Sequence, residues 1–282
     1  MLEKGLSMSP RRPVFAEAYI EELVETFMVC TTDDLTRQWA WDVLEAYFEA
    51  VPVGRSAPAD RARRLFESSR SDTEDFDATG RAVKRLSPAP LADTKPSHVQ
   101  PSELRELCEA RQSVRSFLPK VVDRGIVDEA IRTGIQAPSA CNRLPYRFLV
   151  LERPDDAREV AALVGGTAGY LEKIQSLLVV VGDLSAYGHP RDRHLIYTDA
   201  GLAIMGVLLS LESHGVSSCC INWPSLSALS RRAARLVGLE NHERVVMLIA
   251  YGYGDSESAV PASGKKDLAA VRAFTQLGNR ES

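Results

Sequence analysis

The run Ala200-Gly201-Leu202-Ala203-Ile204-Met205-Gly206-Val207-Leu208-Leu209 is apolar at every position and forms the middle of the longest helical pattern in the chain, residues 191–214. A helix without a polar face has no side to present to water, so this one is expected to be buried on all sides. Gly201, Ala203 and Gly206 carry little or no side chain and let another backbone approach closely. The helix is therefore either the spine of a domain or part of a subunit interface. The apolar run is far short of the roughly 20 residues that span a bilayer, and Met1 to Gly5 show no apolar leader pattern. A soluble protein with no membrane partner is expected.

Strand and helix patterns alternate around that helix. Tyr146–Leu151, Leu177–Asp183, Ser217–Asn222 and Val245–Tyr253 read as strands, several of them uniformly apolar, as central strands covered on both faces are. Ser102 reads as the N-cap of a helix through Leu104, Leu107 and Ala110, with Glu103 and Glu106 in its first turn. Asp123 caps a second helix, whose apolar positions Ile126, Val127, Ala130, Ile131 and Ile135 recur with helical spacing until Pro138. Further helices are expected from Asp155, over Leu226–Val237, and from Asp267 to about Leu277. The class is α/β or α+β, with helices flanking one sheet. No internal repeat, G-x-G-x-x-G or Walker-type loop is present, which argues against a Rossmann nucleotide site.

Ahead of this core, Phe15–Met28 and Leu35–Val51 have helical periodicity, the second placing Trp41, Leu44 and Phe48 on one face with Trp39 and Tyr47 beside them. These predict a helical N-terminal extension over 1–67, read as a docked hairpin with no catalytic constellation. The composition then turns to Ser, Asp, Arg, Pro and Lys, predicting a polar linker over 68–100 and a main domain over 101–282. A net charge of -4 and a pI near 5.8 give no reason to expect nucleic acid as a partner. Five scattered cysteines and five histidines lack disulfide or metal-ligand spacing, so no metal is expected and a reducing cytoplasm fits best.

Basic and polar groups concentrate between Arg111 and Phe148. Arg111 and Arg115 share one face if the preceding helix continues, with Ser113 adding a hydroxyl, a set suited to a phosphate. The bland alternative is a solvated helix end. Pro138-Ser139-Ala140-Cys141-Asn142 offers donors and acceptors suited to the edge of a neutral heterocycle, and is equally ordinary turn chemistry. Cys219 and Cys220 fall on opposite sides of a strand and read as buried structural cysteines. Lys265-Lys266 reads as a solvated pair or as the completion of an anion site.

In order and spacing, Arg111-Gln112-Ser113-Val114-Arg115-Ser116-Phe117, Ala137 to Phe148, Asp199-Ala200-Gly201-Leu202-Ala203, Ser217 to Pro224, and Gly252-Tyr253 through Lys266 resemble the nitroreductase family of flavin enzymes. The resemblance implies an α+β fold with a mostly antiparallel central sheet flanked by helices. It also implies a homodimer with FMN at the subunit interface, NAD(P)H as electron donor and a small-molecule substrate. Arg111, Gln112, Ser113 and Arg115 would hold the phosphate and ribityl end, with Lys265 or Lys266 adding charge. Pro138, Ser139, Ala140 and Asn142 would line the isoalloxazine, and Cys219, Cys220, Ile221 and Asn222 would meet its edge. The chemistry would be borne by the flavin, with no obligatory protein acid or nucleophile.

Leu144 and Tyr146 depart from the Gln and Trp usual in the family. The opening Leu2-Glu3-Lys4-Gly5-Leu6 resembles the start of longer nitroreductase-like proteins found with polysaccharide-biosynthesis genes. The expected activity is reduction of a conjugated, nitroaromatic or quinone-like acceptor. The alternatives are a flavin dehydrogenase or oxidase that desaturates a biosynthetic intermediate, and a flavin-free scaffold on a degenerate fold.

Overall fold

The computed structural model describes residues 1–68 and 86–275, so residues 69–85 of the expected linker and the end of the expected last helix lie outside the described residues. Contacts divide the chain into two units, Met1–His98 and Val99–Ser282.

The first unit holds α1 (Leu2–Ser7), α2 (Ile20–Val29), α3 (Asp34–Ala50) and α4 (Ala57–Ser68). Asp33 caps α3 by accepting from the Thr36 N–H at 3.0 Å. Leu44, Tyr47 and Phe48 of α3 are buried with Ile20, Val24 and Phe27 of α2. Helix α4 adds to the sequence reading. Its arginines and glutamate mask a narrow stripe of Ala59, Ala62 and Phe66, which packs into the same core. The Phe66 ring lies 4.5 Å from that of Trp41.

The second unit is built on β1 (Tyr146–Leu151), β2 (Ser176–Asp183), β3 (Ser217–Asn222) and β4 (Glu243–Gly252), in the antiparallel order β1-β2-β4-β3. Strand β2 is central and buried on both faces, as its unbroken apolar run requires. Leu178 and Val180 point to a layer containing α6 (Arg124–Gly134) and α8 (Leu195–Ser213). Leu177, Val179 and Val181 point to the opposite layer, containing α7 (Pro154–Ala161) and α9 (Ser227–Val237). Each fully buried leucine there contributes about 1.5–3 kcal/mol. The fold is α+β, an antiparallel sheet between helical layers.

Asp123 caps α6 through the Gly125 N–H. Several helices differ from the sequence reading at their ends, α2 beginning at Ile20 rather than Phe15 and α8 at Leu195 rather than at residue 191. Helix α5 (Pro101–Ala110) begins two residues earlier than the Ser102 cap implied, with Gln100 as its cap, because Pro101 sets the first turn and the Gln100 N–H donates to Glu103. Helix α10 spans only Leu268–Val271, and all of its residues are exposed. No packed face extends it.

The expectation that α8 is buried all round also needs correcting. Ala200, Ala203, Ile204, Val207, Leu208 and Leu211 are buried, while Tyr197, Leu202 and Met205 are 48%, 47% and 40% exposed. By length and apolarity α8 could cross a bilayer, yet half of that stretch is buried in the domain. The small residues act on the buried side. A Cβ on Gly206 would sit 3.0 Å from the Cα of Gly134, and one on Gly134 would sit 2.9 Å from the Ala203 carbonyl oxygen, so α6 and α8 touch backbone to backbone. Gly201 faces open space.

Candidate functional site

Helix α5 stops at Ala110, and Arg111 is already extended, with ψ 113°. Arg111 and Arg115 therefore do not share a helical face. The segment runs beside β3 instead, with the Val114 N–H donating to the Ser218 carbonyl at 3.1 Å and Ser113 bridging Ser218 in parallel. Phe117 then bridges Gly254 and anchors the segment in the core.

Both arginines remain at the β3 edge. Burial pushes the Cys219 thiol up, against the opposing pull of Arg115, a hydrogen bond with Tyr170 and the pull of Arg111. The Arg115 guanidinium stands 5.8 Å from the Tyr170 ring centroid. Neither Arg111 nor Arg115 forms an ion pair among the described residues. Ser218 is buried, and its hydroxyl has no hydrogen-bond partner.

A cavity of about 200 Å³ brings Arg115 together with Cys220, Ile221, Asn222 and Pro224, closed on its other side by Gly165, Gly166 and Tyr170. Within it the Arg115 guanidinium and the Asn222 amide supply donors that fit an anionic, oxygen-rich group, with Arg111 and Ser113 nearby on the same edge outside its lining. Cys219 is buried as expected, but Cys220 is exposed, because β3 is an edge strand that turns it outward. Tyr170 and the Gly165-Gly166 pair were not singled out by sequence. Their positions depend on a loop that carries no periodicity.

The loop from Pro138 to Pro145 lies at the other edge of the sheet, leading into β1. Its backbone is strained, with Cys141, Asn142 and Leu144 at φ 57°, 53° and 47°. The Leu144 N–H donates to Ser139 Oγ at 3.0 Å, and the Asn142 N–H donates to the Ser139 carbonyl at 3.0 Å. The Ala140 N–H donates at 3.1 Å to Oδ2 of Asp199, which also accepts from the Tyr187 hydroxyl at 2.6 Å. Burial, then the hydrogen bond to Asp199, raises the Tyr187 pKa. Burial, then the Asp199 charge, raises that of Tyr146, whose buried hydroxyl has no hydrogen-bond partner.

The two clusters do not converge within one chain. Ala140 is tied to Asp199 near the start of α8, whereas Arg111 pulls down the carboxyl of Glu212, which burial raises, near its end. From Asp199 to Glu212 is 13 residues, or roughly 20 Å of helix. Lys265 donates to the carbonyl of Ser263 in its own loop. A larger cleft of about 610 Å³ between α9 and the start of β4 contains none of the candidate cofactor residues. Of its charged lining groups, Glu243 is engaged with Arg147 and Arg244 with the carbonyls of Asn241 and Glu243, while Arg231 and Glu240 also face it.

A profile of the Nitroreductase family matches residues 108–175 and 156–253, more than half of the chain. An NADH dehydrogenase of Thermus thermophilus is 25% identical over 178 residues, 52% of this chain and 84% of that protein. Human iodotyrosine deiodinase 1 is 23% identical over 194 residues, 59% of this chain and 66% of that protein. Among solved structures, an FMN-dependent nitroreductase of Clostridium difficile superposes with a TM-score of 0.52 at 17% identity, covering 61% of this chain and 98% of that one. A nitroreductase family protein of Streptococcus pneumoniae gives 0.52 at 19% identity, covering 61% and 100%.

Proposed function

Because this chain belongs to the Nitroreductase family of oxidoreductases, we propose that it is an FMN-dependent enzyme that takes hydride from NAD(P)H and passes it to a small conjugated acceptor of nitroaromatic or quinone type. The FMN dependence of the C. difficile structure and the NADH in the name of the T. thermophilus relative support the choice of cofactor and donor. The observation that carries the proposal is the division of the candidate site. Arg111, Ser113 and Arg115 lie together by the β3 edge, which supports an anion-binding corner there, and the Ser/Asn loop lies apart at the far end of α8.

A cavity of about 200 Å³ is smaller than the roughly 300–1,000 Å³ typical of cofactor sites. A homodimer would complete it, with the corner of one subunit facing the loop of the other. The apolar strip Tyr197, Leu202 and Met205, and the exposed Leu268, Val271 and Phe274 near the C-terminus, offer surface for that pairing.

In this arrangement Arg111 and Arg115 would bind the phosphate, with Ser113 donating to it and Gln112 beside them. Lys265 or Lys266 would add charge from the late loop. Pro138, Ser139, Ala140 and Asn142 would orient the ring and exclude water from it. Backbone groups of Cys219 to Asn222 would meet its edge. The flavin, when bound, supplies the two-electron redox chemistry. No protein acid or nucleophile is needed for it.

Purified protein should be yellow or take up FMN, and anaerobic NADH or NADPH should bleach it. A colourless protein whose flavin titration changes neither fluorescence nor melting temperature refutes the proposal. Bound flavin that neither nucleotide reduces favours a dehydrogenase or oxidase direction.

A further inference from the structure

Asp42, Asp199 and Glu243 are the buried carboxylic acids among the described residues. Glu243 is neutralised by a bidentate arginine. Asp199 sits in the most apolar helix of the chain, 3% exposed, and has no ion pair among the described residues. A carboxylate in such a place is unfavourable unless hydrogen bonds replace its lost water, and an apolar residue would have served packing better. What Asp199 does instead is join two segments distant in sequence. Its Oδ2 accepts from the Ala140 N–H in the loop and from the Tyr187 hydroxyl in the segment after β2. Arg143 of the same loop stands over the Tyr187 ring at 5.2 Å, a second link between the loop and that tyrosine.

The loop so held contains three non-glycine residues in the left-handed region within four positions. Such a backbone relaxes unless its surroundings fix it. We propose that Asp199 and Tyr187 are positioning residues, which clamp the Ala140 N–H and the Arg143 side chain so that the strained Pro138–Pro145 loop is preset to receive the flavin ring. The clamp rests on the reading of this loop as the ring side of an FMN site. It touches no reacting atom and acts through Pro138, Ser139 and Asn142.

The test uses the full chain and two readouts. Hydrogen exchange of the flavin-free protein follows the Ala140 and Leu144 amides, and fluorescence titration gives FMN affinity. Asp199→Ala and Tyr187→Phe should each speed exchange across residues 139–146 and weaken FMN binding by about tenfold, while the β2 and β4 amides stay protected. Asp199→Asn, which keeps an acceptor oxygen, should restore most of both. Tyr187→Phe leaves the ring in place and serves if Asp199→Ala does not fold. Wild-type exchange in Tyr187→Phe overturns the clamp, and so does wild-type FMN affinity with a loosened loop. If wild-type protein binds no FMN, the functional reading fails, and the exchange readout alone still decides whether the clamp holds the loop.

Discussion

At the β3 edge, Arg111 and Arg115 stand without ion pairs among the described residues, next to a buried serine hydroxyl with no partner. At the β1 edge, the Pro138–Pro145 loop has turned its Ser139 oxygens and its Ala140 and Leu144 amides inward. The first region keeps its two cations out of ion pairs, Arg115 donating only at 3.5 Å to the Ser113 carbonyl, and leaves shape to the strand beside it. The second uses hydrogen bonds to hold a shape that the backbone alone disfavours. Binding and stability should therefore separate at the first region and move together at the second.

Replacing Arg111 and Arg115 together by Ala is expected to weaken FMN binding by at least about 100-fold, since each would lose charge-assisted bonds to phosphate. Unfolding free energy in urea should change by less than about 0.5 kcal/mol. A large loss of stability would show that the cations support the fold and would break the comparison at its first half. At the second half, Tyr187→Phe removes one donor from a buried carboxylate and is expected to lower stability by about 2–3 kcal/mol, measured the same way. No change would mean that water takes the place of the hydroxyl.

Acid should loosen the second region ahead of the first. Arg147, two residues past the loop, holds Glu243 with bonds of 2.6 and 2.9 Å. The Arg147 hydrogen bond lowers the Glu243 carboxyl from 4.5 to about 2, against burial, which raises it. A depressed carboxylate stabilises the fold above its unfolded pKa, so this contribution is complete above pH 4.5 and is lost as pH falls toward 2. With the Arg147 side chain 44% exposed, it amounts to about 2 kcal/mol. Glu243→Gln should flatten the stability profile over that window. The smallest effect is expected at Leu144, where φ is 47°. Leu144→Gly should raise stability by up to about 1 kcal/mol by relieving the backbone, and a lowered urea midpoint would show that the leucine contributes packing instead.

Local pattern carried most of the elements. The apolar run of β2, the Asp123 cap and the periodicity of α6 each follow from neighbours in sequence, and the long apolar run marks α8, which starts four residues later than the pattern implied. What pattern could not carry is long-range. The end of α5 at Ala110 is set by the edge of β3, more than a hundred residues later, which takes the Val114 amide. The bond from Ala140 to Asp199 crosses 59 residues. A lone acid in an apolar helix was a visible signal for Asp199, and nothing comparable marked Tyr187 or Tyr170. The exposed side of α8 shows why an apolar helix cannot be placed by composition alone. Composition requires a cover without saying which chain supplies it.

The backbone contact between Gly134 and Gly206 bears on how the loop can move in time. Helix α6 ends at Gly134, four residues ahead of Pro138, and there it rests on α8 so closely that the Val207 side chain and the Ala203 carbonyl fill the space of a Cβ. Side chains elsewhere hop between rotamers within picoseconds to nanoseconds and let the elements they support drift. A joint where backbones meet this closely leaves little room for such adjustment. With its far end fixed by the β1 ladder, the loop can change only by turning its own left-handed dihedrals. Its rearrangements should then fall in the slower range of collective motion, roughly microseconds to milliseconds, where relaxation dispersion rather than order parameters would register them.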